Sequence, residues 1–277
     1  MLAVLLGALL HAGWNALIRG SADRTLDTVL ISTGAAVVAA CALLFLPLPL
    51  PAPESWPYLA VSGVIHVAYF LLVASSYRHG ELSFAYPLMR GSAPALSAIA
   101  AAVLLTEIPT AGGWLGVLLI SGGVLMLAGD SWRTQTFHGH TALFALSTAG
   151  VIAIYTLVDG VGVRLSGHAV SYTCWIQVLT AIPLLGIFLA RNSAATGTYL
   201  RHHWRRGLIG GGSSLASYAL ALWAMTQAPI AMVAALRETS VVFAAIIAAT
   251  LLGERVSRMR YLAIFIVAAG AVAIKLA

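Results

Sequence analysis

Charged residues are scarce in this sequence. Asp, Glu, Lys and Arg together make up 9% of its 277 positions, whereas soluble domains carry about 25%. Hydrophobic residues account for 60%, and the mean hydropathy is +0.94. So few charges exclude an ordinary water-soluble globular fold, because its surface would be largely apolar. The chain is therefore predicted to be an integral membrane protein.

Cysteine is rare as well. Cys41 and Cys174, the two cysteines, fall in the middle of apolar runs, where a free cysteine behaves as a small hydrophobic residue. We predict neither a disulfide nor a metal site, and no cofactor. The HGH stretch at 138–140 and the paired His202 and His203 are only weak metal patterns. The first ten residues lack a basic stretch and a small-residue cleavage site, so a retained first helix is expected.

Acidic residues are fewer than basic ones, which gives a net charge of +6 and a pI of about 9.7. In a soluble protein this balance would suggest nucleic acid, but in a membrane protein it is typical of basic cytoplasmic loops. We therefore predict no nucleic-acid partner. The RHHWRR run at 201–206 indicates a topology anchor that contacts anionic lipids.

Long apolar runs are abundant. A spanning helix needs about 20 mostly apolar residues, and ten runs meet this requirement. Short connections such as QAP at 227–229 leave no room between spans for a soluble domain. The fold class predicted is an all-α membrane protein with ten transmembrane helices. The predicted spans are residues 2–18, 28–46, 57–77, 83–105, 109–128, 139–161, 168–190, 206–226, 229–252 and 256–275.

The sequence also repeats. An offset of 147 residues brings Arg90 onto Arg237, Glu107 onto Glu254 and Gly123 onto Gly270, with ten identities between residues 90 and 123. The predicted repeats are residues 1–130, with helices one to five, and 139–277, with helices six to ten. Five is odd, so the second copy enters the membrane inverted, which is a recurring plan of secondary transporters.

Several motifs resemble one family. HAGWN at 11–15, YRHGELSFAYPLMRGSAP at 77–94, and the repeat endings LLTE and LLGE are similar to the EamA-type branch of the drug/metabolite transporter superfamily. The resemblance implies a transporter of small molecules, since the superfamily moves amino acids, sugars, nucleotide sugars, purines and drugs, often as exporters. It also implies cytoplasmic termini, whereas eleven of the 15 basic residues fall in loops that place both termini outside. We expect a multi-pass protein of the cell inner (plasma) membrane, as a monomer or a homodimer.

Ionisable residues inside spans are the first candidates for a site, because they are costly there. Arg90 and Arg237 approach the midplane from opposite sides and would suit a carboxylate or phosphate. Alternatively, each arginine caps backbone carbonyls freed by prolines. Glu238 would neutralise an arginine of a neighbouring helix, with Arg90 as one candidate. Tyr86 shares a helix face with Arg90, and we expect Pro87 and Pro94 to kink helix four alone.

Two polar stripes complete the predicted substrate-binding set. His11, Trp14 and Asn15 share one face of helix one, and His66 and Tyr69 share a face of helix three. Either histidine would carry a proton or serve as a fixed hydrogen-bond partner. In the second copy, Tyr155 aligns with Trp14 and shares a face with Asp159, which lies either in the site or at the interface. The full predicted set is Tyr86, Arg90, Arg237, Glu238, His11, Trp14, Asn15, His66, Tyr69 and Tyr155.

Three functional classes are compatible with a membrane chain of this kind. An enzyme is disfavoured, since HExxH, GxSxG and a convergent acidic pair are missing. A non-transporting receptor or assembly partner would use its buried arginines to lock helices together. A secondary transporter of a carboxylated or zwitterionic metabolite, coupled to protons or to exchange, fits the repeat best. Glu107 and Glu254 are expected to cap the helices that follow them.

Overall fold

The computed structural model describes residues 1–19, 23–79, 82–132, 139–251 and 257–277. These residues form α-helices joined by short connections, with one 3₁₀ turn at Pro53–Ser55. The α-helices are α1 (Leu2–Arg19), α2 (Arg24–Phe45), α3 (Trp56–His79), α4 (Leu82–Leu104), α5 (Ala111–Trp132), α6 (Gly139–Leu165), α7 (Ala169–Met225), α8 (Ile230–Arg237), α9 (Ser240–Leu251) and α10 (Arg258–Leu276).

The helices suit a bilayer. Seven described segments are long and apolar enough to cross a membrane, and two shorter apolar helices cover residues 2–17 and 111–127. Large apolar side chains such as Phe45, Val103 and Phe265 are more than two-thirds exposed, which a soluble monomer rarely tolerates over wide patches. The protein is therefore a multi-pass membrane protein surrounded by lipid.

The ten predicted spans do not correspond one to one to the ten α-helices of the described residues. The seventh and eighth predicted spans both lie in α7, a 57-residue helix. If it were straight, α7 would be ~85 Å long, against ~30 Å for the hydrocarbon core. Its backbone leaves the helical region at Asn192 and His203. The ninth predicted span is divided between α8 and α9.

Backbone breaks fall in other places than the prolines predict. Helix α4 continues as one α-helix through Pro87 and Pro94, although each proline lacks the backbone N–H that would donate to the preceding turn. The break near the arginines instead separates α8 from α9, where Glu238 and Thr239 form a turn. The prediction that helix four alone carries an irregular backbone is therefore wrong.

Glycines let two helix pairs approach closely. A Cβ on Gly34 of α2 would lie 2.0 Å from the backbone oxygen of Gly207 in α7, and one on Gly211 would lie 2.2 Å from the Ala35 nitrogen. Such a close crossing leaves no room for a side chain at these positions. Small residues commonly allow helices to approach this closely in membranes. The two helices are thus held in one register.

The crossing of α5 and α10 is reciprocal. A Cβ on Gly123 would meet Val267 and the Ala263 oxygen, while a Cβ on Gly270 would meet Ile120 and the Gly116 oxygen. The two contacts are related by the 147-residue offset: Gly123 corresponds to Gly270, Val267 to Ile120, and Ala263 to Gly116. The neighbour of the glycine-rich face of α5 is therefore α10 of the same chain.

Two networks tie the connections together at separate places. The backbone nitrogen of Ala52 donates to the Ser166 oxygen, and Ser171 Oγ donates to the Pro49 oxygen, so the segment before α3 packs on the start of α7. Elsewhere Asp27, fully buried at the start of α2, accepts from Tyr199 Oη and pairs with Arg206 of α7.

Candidate functional site

A buried ion pair lies at the break between α8 and α9. Nε of Arg90 in α4 lies 3.0 Å from Oε2 of Glu238, and the two side chains are only 6% and 5% exposed. Nη2 of Arg90 also lies 3.4 Å from Nε2 of His11 in α1. Because a guanidinium can only donate, Nε2 of His11 is the acceptor and its hydrogen is on Nδ1. Three helices thus converge on one guanidinium.

The turn explains how Glu238 reaches this position. Helix α8 ends at Arg237, and the amide nitrogens of Glu238 and Thr239 donate to the carbonyls of Ala235 and Leu236. These i to i+3 bonds tighten the last turn and place consecutive side chains on different sides. Glu238 is buried against Arg90, whereas Arg237 is half-buried and turned towards α7.

A second polar cluster surrounds Asp159 of α6, whose side chain is fully buried. Tyr218 of α7 donates its hydroxyl to Oδ2 of Asp159. Nε2 of His66 in α3 lies 3.8 Å from the same oxygen, and Nδ1 of His66 lies 3.0 Å from both Oγ and the carbonyl oxygen of Ser62. Among the described residues, Oδ1 of Asp159 has no hydrogen-bond partner.

Aromatic rings join the two clusters. The rings of His66 and Tyr155 have centroids 4.4 Å apart, and Tyr155 contacts Tyr69 at 5.6 Å. Tyr69 and Tyr86 pack against the same buried group of side chains from α3, α4 and α6. The guanidinium of Arg237 lies 5.1 Å from the centre of the Tyr218 ring, a distance at which a cation–π attraction operates.

Not every charge in the two clusters has an ion-pair partner. Arg90 and Glu238 neutralise each other, but no carboxylate of the described residues lies within ion-pairing distance of Arg237. The ring of Trp14 packs edge-on against that of His11, with the two centroids 5.0 Å apart. Among the described residues, the buried Nε1 of Trp14 has no hydrogen-bond partner. An unpaired cation and an unused N–H donor are groups that an anionic ligand would satisfy.

The structure distributes the ten predicted residues unevenly. His11 and Glu238 both contact Arg90, and His66, Tyr69 and Tyr155 form one aromatic group, with Tyr86 packed beside it. Asn15 instead donates its side-chain amide to the His11 carbonyl, within its own helix. Arg237 stacks on a residue outside the predicted set.

Asp159 and Tyr218 are the two central residues that the predicted set lacks. Asp159 faces the protein interior, since its side chain has no exposed surface; its depth in the membrane, in the site or at the interface, stays a prediction. An ionisable residue inside a predicted span was the available signal for it. No comparable signal marked Tyr218, because tyrosine is common at membrane interfaces.

Several further predictions meet a different outcome. Oε2 of Glu107 accepts from the Ile230 amide, 3.0 Å away, so Glu107 caps α8 and not the following helix α5. Its other oxygen pairs with Arg164, whose guanidinium also reaches the carbonyls of Met225 and Ala228. Glu254 and the start of the HGH stretch lie outside the described residues.

The RHHWRR run is divided by its contacts. Arg206 turns inward to Asp27 and to the Leu17 carbonyl, so its guanidinium is paired within the chain. Arg201 and Arg205 are exposed, and Arg205 lies 5.4 Å from the ring of the exposed Trp204. Anionic-lipid contact by these residues stays a prediction.

The chain can now be compared with known proteins. No curated protein matches it at a significant level. A crystal structure of a protein with 17% sequence identity covers 99% of this chain and 98% of its own, with a TM-score of 0.76, which shows a shared fold. The model of the EamA-like transporter family matches residues 1–129 and 140–276. The chain therefore belongs to the EamA-like transporter family and is a membrane transporter.

Proposed function

We propose that the protein is a secondary transporter for a small carboxylated or zwitterionic metabolite, working by alternating access around the buried clusters. The single observation that carries this proposal is that no carboxylate of the described residues lies within ion-pairing distance of Arg237. A carboxylate would neutralise that charge through two parallel hydrogen bonds. An unpaired charge inside a spanning segment is costly, so this arrangement favours an anionic group on the solute.

The proposed architecture is ten spans in two inverted five-helix repeats, residues 1–130 and 139–277. The reciprocal contacts of α5 and α10 support it, because they exchange under the 147-residue offset. The two breaks in α7 provide the extra crossing, and α8 with α9 forms one discontinuous span, Ile230–Thr250. Discontinuous helices at the interface of two repeats are a common place for substrate in secondary transporters.

Each part of the site has a proposed role. Arg237 and the indole N–H of Trp14 bind the carboxylate, while Tyr69, Tyr86 and Tyr155 contact the rest of the solute. Arg90, Glu238 and His11 hold α4, α1 and the break between α8 and α9 together. Asn15 positions α1, since its amide is used within that helix. We propose the cell inner (plasma) membrane as the location.

A matched panel of solutes tests the anion requirement. The protein is purified and its thermal unfolding is followed with L-alanine, L-phenylalanine, L-glutamate and lactate, each beside its amide. A ligand that binds the native state raises the apparent stability, so at least one acid should raise the Tm while its amide does not. Equal shifts for acids and amides would refute the carboxylate proposal.

Flux measurements then separate transport from a purely structural role of the arginines. In proteoliposomes, uptake of the acid that gives the largest thermal shift should be lost in Arg237→Gln and kept in Arg205→Gln, whose arginine is exposed. Folding is checked by the thermal transition of each variant. Full uptake by a folded Arg237→Gln protein would show that this arginine does not bind the solute.

A further inference from the structure

We propose that Asp159 and His66 form the proton-carrying site of the transporter, and that they hold one proton between them. This inference rests on the proposed secondary transport and names the groups that couple it to protons. The pair is built from α6 and α3, apart from the ion pair of Arg90 and Glu238.

His66 can share a proton with Asp159 in either of its neutral tautomers. Nδ1 lies 3.0 Å from both the carbonyl oxygen and Oγ of Ser62, so it can donate to the carbonyl or accept from the hydroxyl. Nε2 lies 3.8 Å from Oδ2 of Asp159. It can therefore accept from a protonated carboxyl group or donate to a carboxylate, and an approach of about 1 Å would complete either hydrogen bond.

The burial of Asp159 makes the shared proton necessary. An ionised carboxylate without a partner costs several kcal/mol in a buried site, and Tyr218 supplies only a neutral donor to Oδ2. One proton balances the pair in two ways, as a carboxylic acid beside neutral imidazole or as carboxylate beside imidazolium. His66 keeps 11% of its side chain exposed and Asp159 none, so the imidazole is the route by which the proton enters and leaves.

The other histidine is held in the opposite state. Nε2 of His11 accepts from the Arg90 guanidinium, and a proton there would oppose a fixed positive charge. His66 faces a carboxylate at the corresponding atom. Of the two histidines predicted to carry a proton or serve as fixed partners, His11 is thus the fixed partner and His66 the carrier.

The charged and titratable surroundings of the pair link it to the solute site. Tyr155 of α6 stacks on the His66 ring, and Tyr218 of α7 joins Asp159 to Arg237 of α8. From α4 the charged residue is Arg90, already neutralised by Glu238. Other titratable groups beside α6 are Tyr69 of α3, which contacts Tyr155, and Tyr58 of α3 and Tyr172 of α7, which both pack at Gly162. Glu54 of the 3₁₀ turn is exposed.

This charge balance gives the sign of coupling. With the proton present, the pair is neutral and Arg237 leaves one net positive charge for a carboxylate. When the proton leaves, Asp159 itself balances Arg237 through Tyr218, and the attraction for the anion weakens. Proton and carboxylate therefore bind together and move in the same direction.

Infrared difference spectroscopy tests the site without any solute. The full chain in lipid nanodiscs is titrated between about pH 5 and pH 8, and the carbonyl band of a protonated carboxyl group is followed with the imidazole bands. In the wild type these bands should change together, as expected for a coupled pair. The carboxyl change should vanish in Asp159→Asn, and the part of the imidazole change that follows the carboxyl band should vanish in His66→Gln.

The controls use the same residue types elsewhere. Asp27→Asn removes another fully buried aspartate, and His11→Gln removes the other histidine; both should keep the wild-type titration. If Asp159→Asn does not fold, Tyr218→Phe replaces it, because loss of the donor to Oδ2 should shift the midpoint. A wild-type spectrum in folded Asp159→Asn, an unmoved midpoint in Tyr218→Phe, or a carboxyl band that vanishes only in Glu238→Gln would overturn the proposal.

Flux data keep the two proposals distinguishable. Coupled bands in a protein that moves none of the panel acids would leave the proton site standing and refute secondary transport. Flux of a panel acid in a protein whose infrared bands do not depend on Asp159 would support transport and refute the proton site. With both present, Asp159→Asn should keep exchange of labelled for unlabelled acid and lose accumulation driven by a pH gradient.

Discussion

Removing both partners of the Arg90 and Glu238 pair should destabilise the protein by less than the sum of the two single losses. Glu238→Gln leaves the buried guanidinium of Arg90 without its carboxylate. Arg90→Gln leaves the buried carboxylate of Glu238 without its cation. Loss of one partner from a buried ion pair costs ~3–5 kcal/mol, and the small exposed fractions, 6% and 5%, place this pair in that class. The double variant should recover up to ~3 kcal/mol of the summed loss, since neighbouring sites couple by such amounts.

The free energy of unfolding of the four proteins, measured by reversible denaturation in mixed micelles, closes the cycle. Glu107→Gln is the matched control, because it keeps an oxygen for the Ile230 amide and loses only the charge that faces Arg164. Its pair is 20% and 33% exposed, so a loss of about 1 kcal/mol or less is expected.

Additive losses in the cycle would refute this reasoning. They would mean that neither side chain depends on the other and that the 3.0 Å approach carries no net interaction. A loss in Glu238→Gln as small as that in Glu107→Gln would show that water reaches the pair, contrary to its burial.

Three other expectations concern stability and connections. Gly34→Ala should lower the Tm, because its Cβ would lie 2.0 Å from a backbone oxygen of the facing helix, whereas Gly186→Ala, with nothing within 4 Å, should be neutral. Asp27→Asn should destabilise more than Tyr199→Phe, since it loses an ion pair as well as a hydrogen-bond acceptor; chemical denaturation of both variants compares them. Glu107→Ala should cost about 1 kcal/mol more than Glu107→Gln, because it also uncaps α8; an equal loss in the two variants would argue against the cap.

The sequence foretold much of the architecture for a simple physical reason. Apolar runs of spanning length must become helices in a bilayer, since no water satisfies their backbone groups. The position of the backbone break was less predictable. Pro87 and Pro94 lie within a continuous α4, while the break falls between α8 and α9, which contain no proline. Membrane helices tolerate proline because neighbouring helices and side chains can satisfy the freed backbone groups.

The site was predictable in its charges and less so in its pairings. The free-energy cost of a charged side chain inside a membrane span marks Arg90, Arg237 and Glu238 as candidate site residues. The neutralisation of Arg90 by Glu238 was among the predictions. That Arg237 keeps no carboxylate depends on the turn at Glu238, which sends adjacent side chains in different directions. The capping of α8 by Glu107 likewise joins residues 123 positions apart, a contact that only the tertiary fold creates.

Helix α8 is fastened at both of its ends. Its first amide, at Ile230, is held by Glu107, and its C-cap residue, Glu238, is held by Arg90. Eight residues span only ~12 Å, too short a length to bend appreciably. The helix is therefore a rigid connection between two ion pairs, that of Glu107 with Arg164 at its start and that of Glu238 with Arg90 at its end.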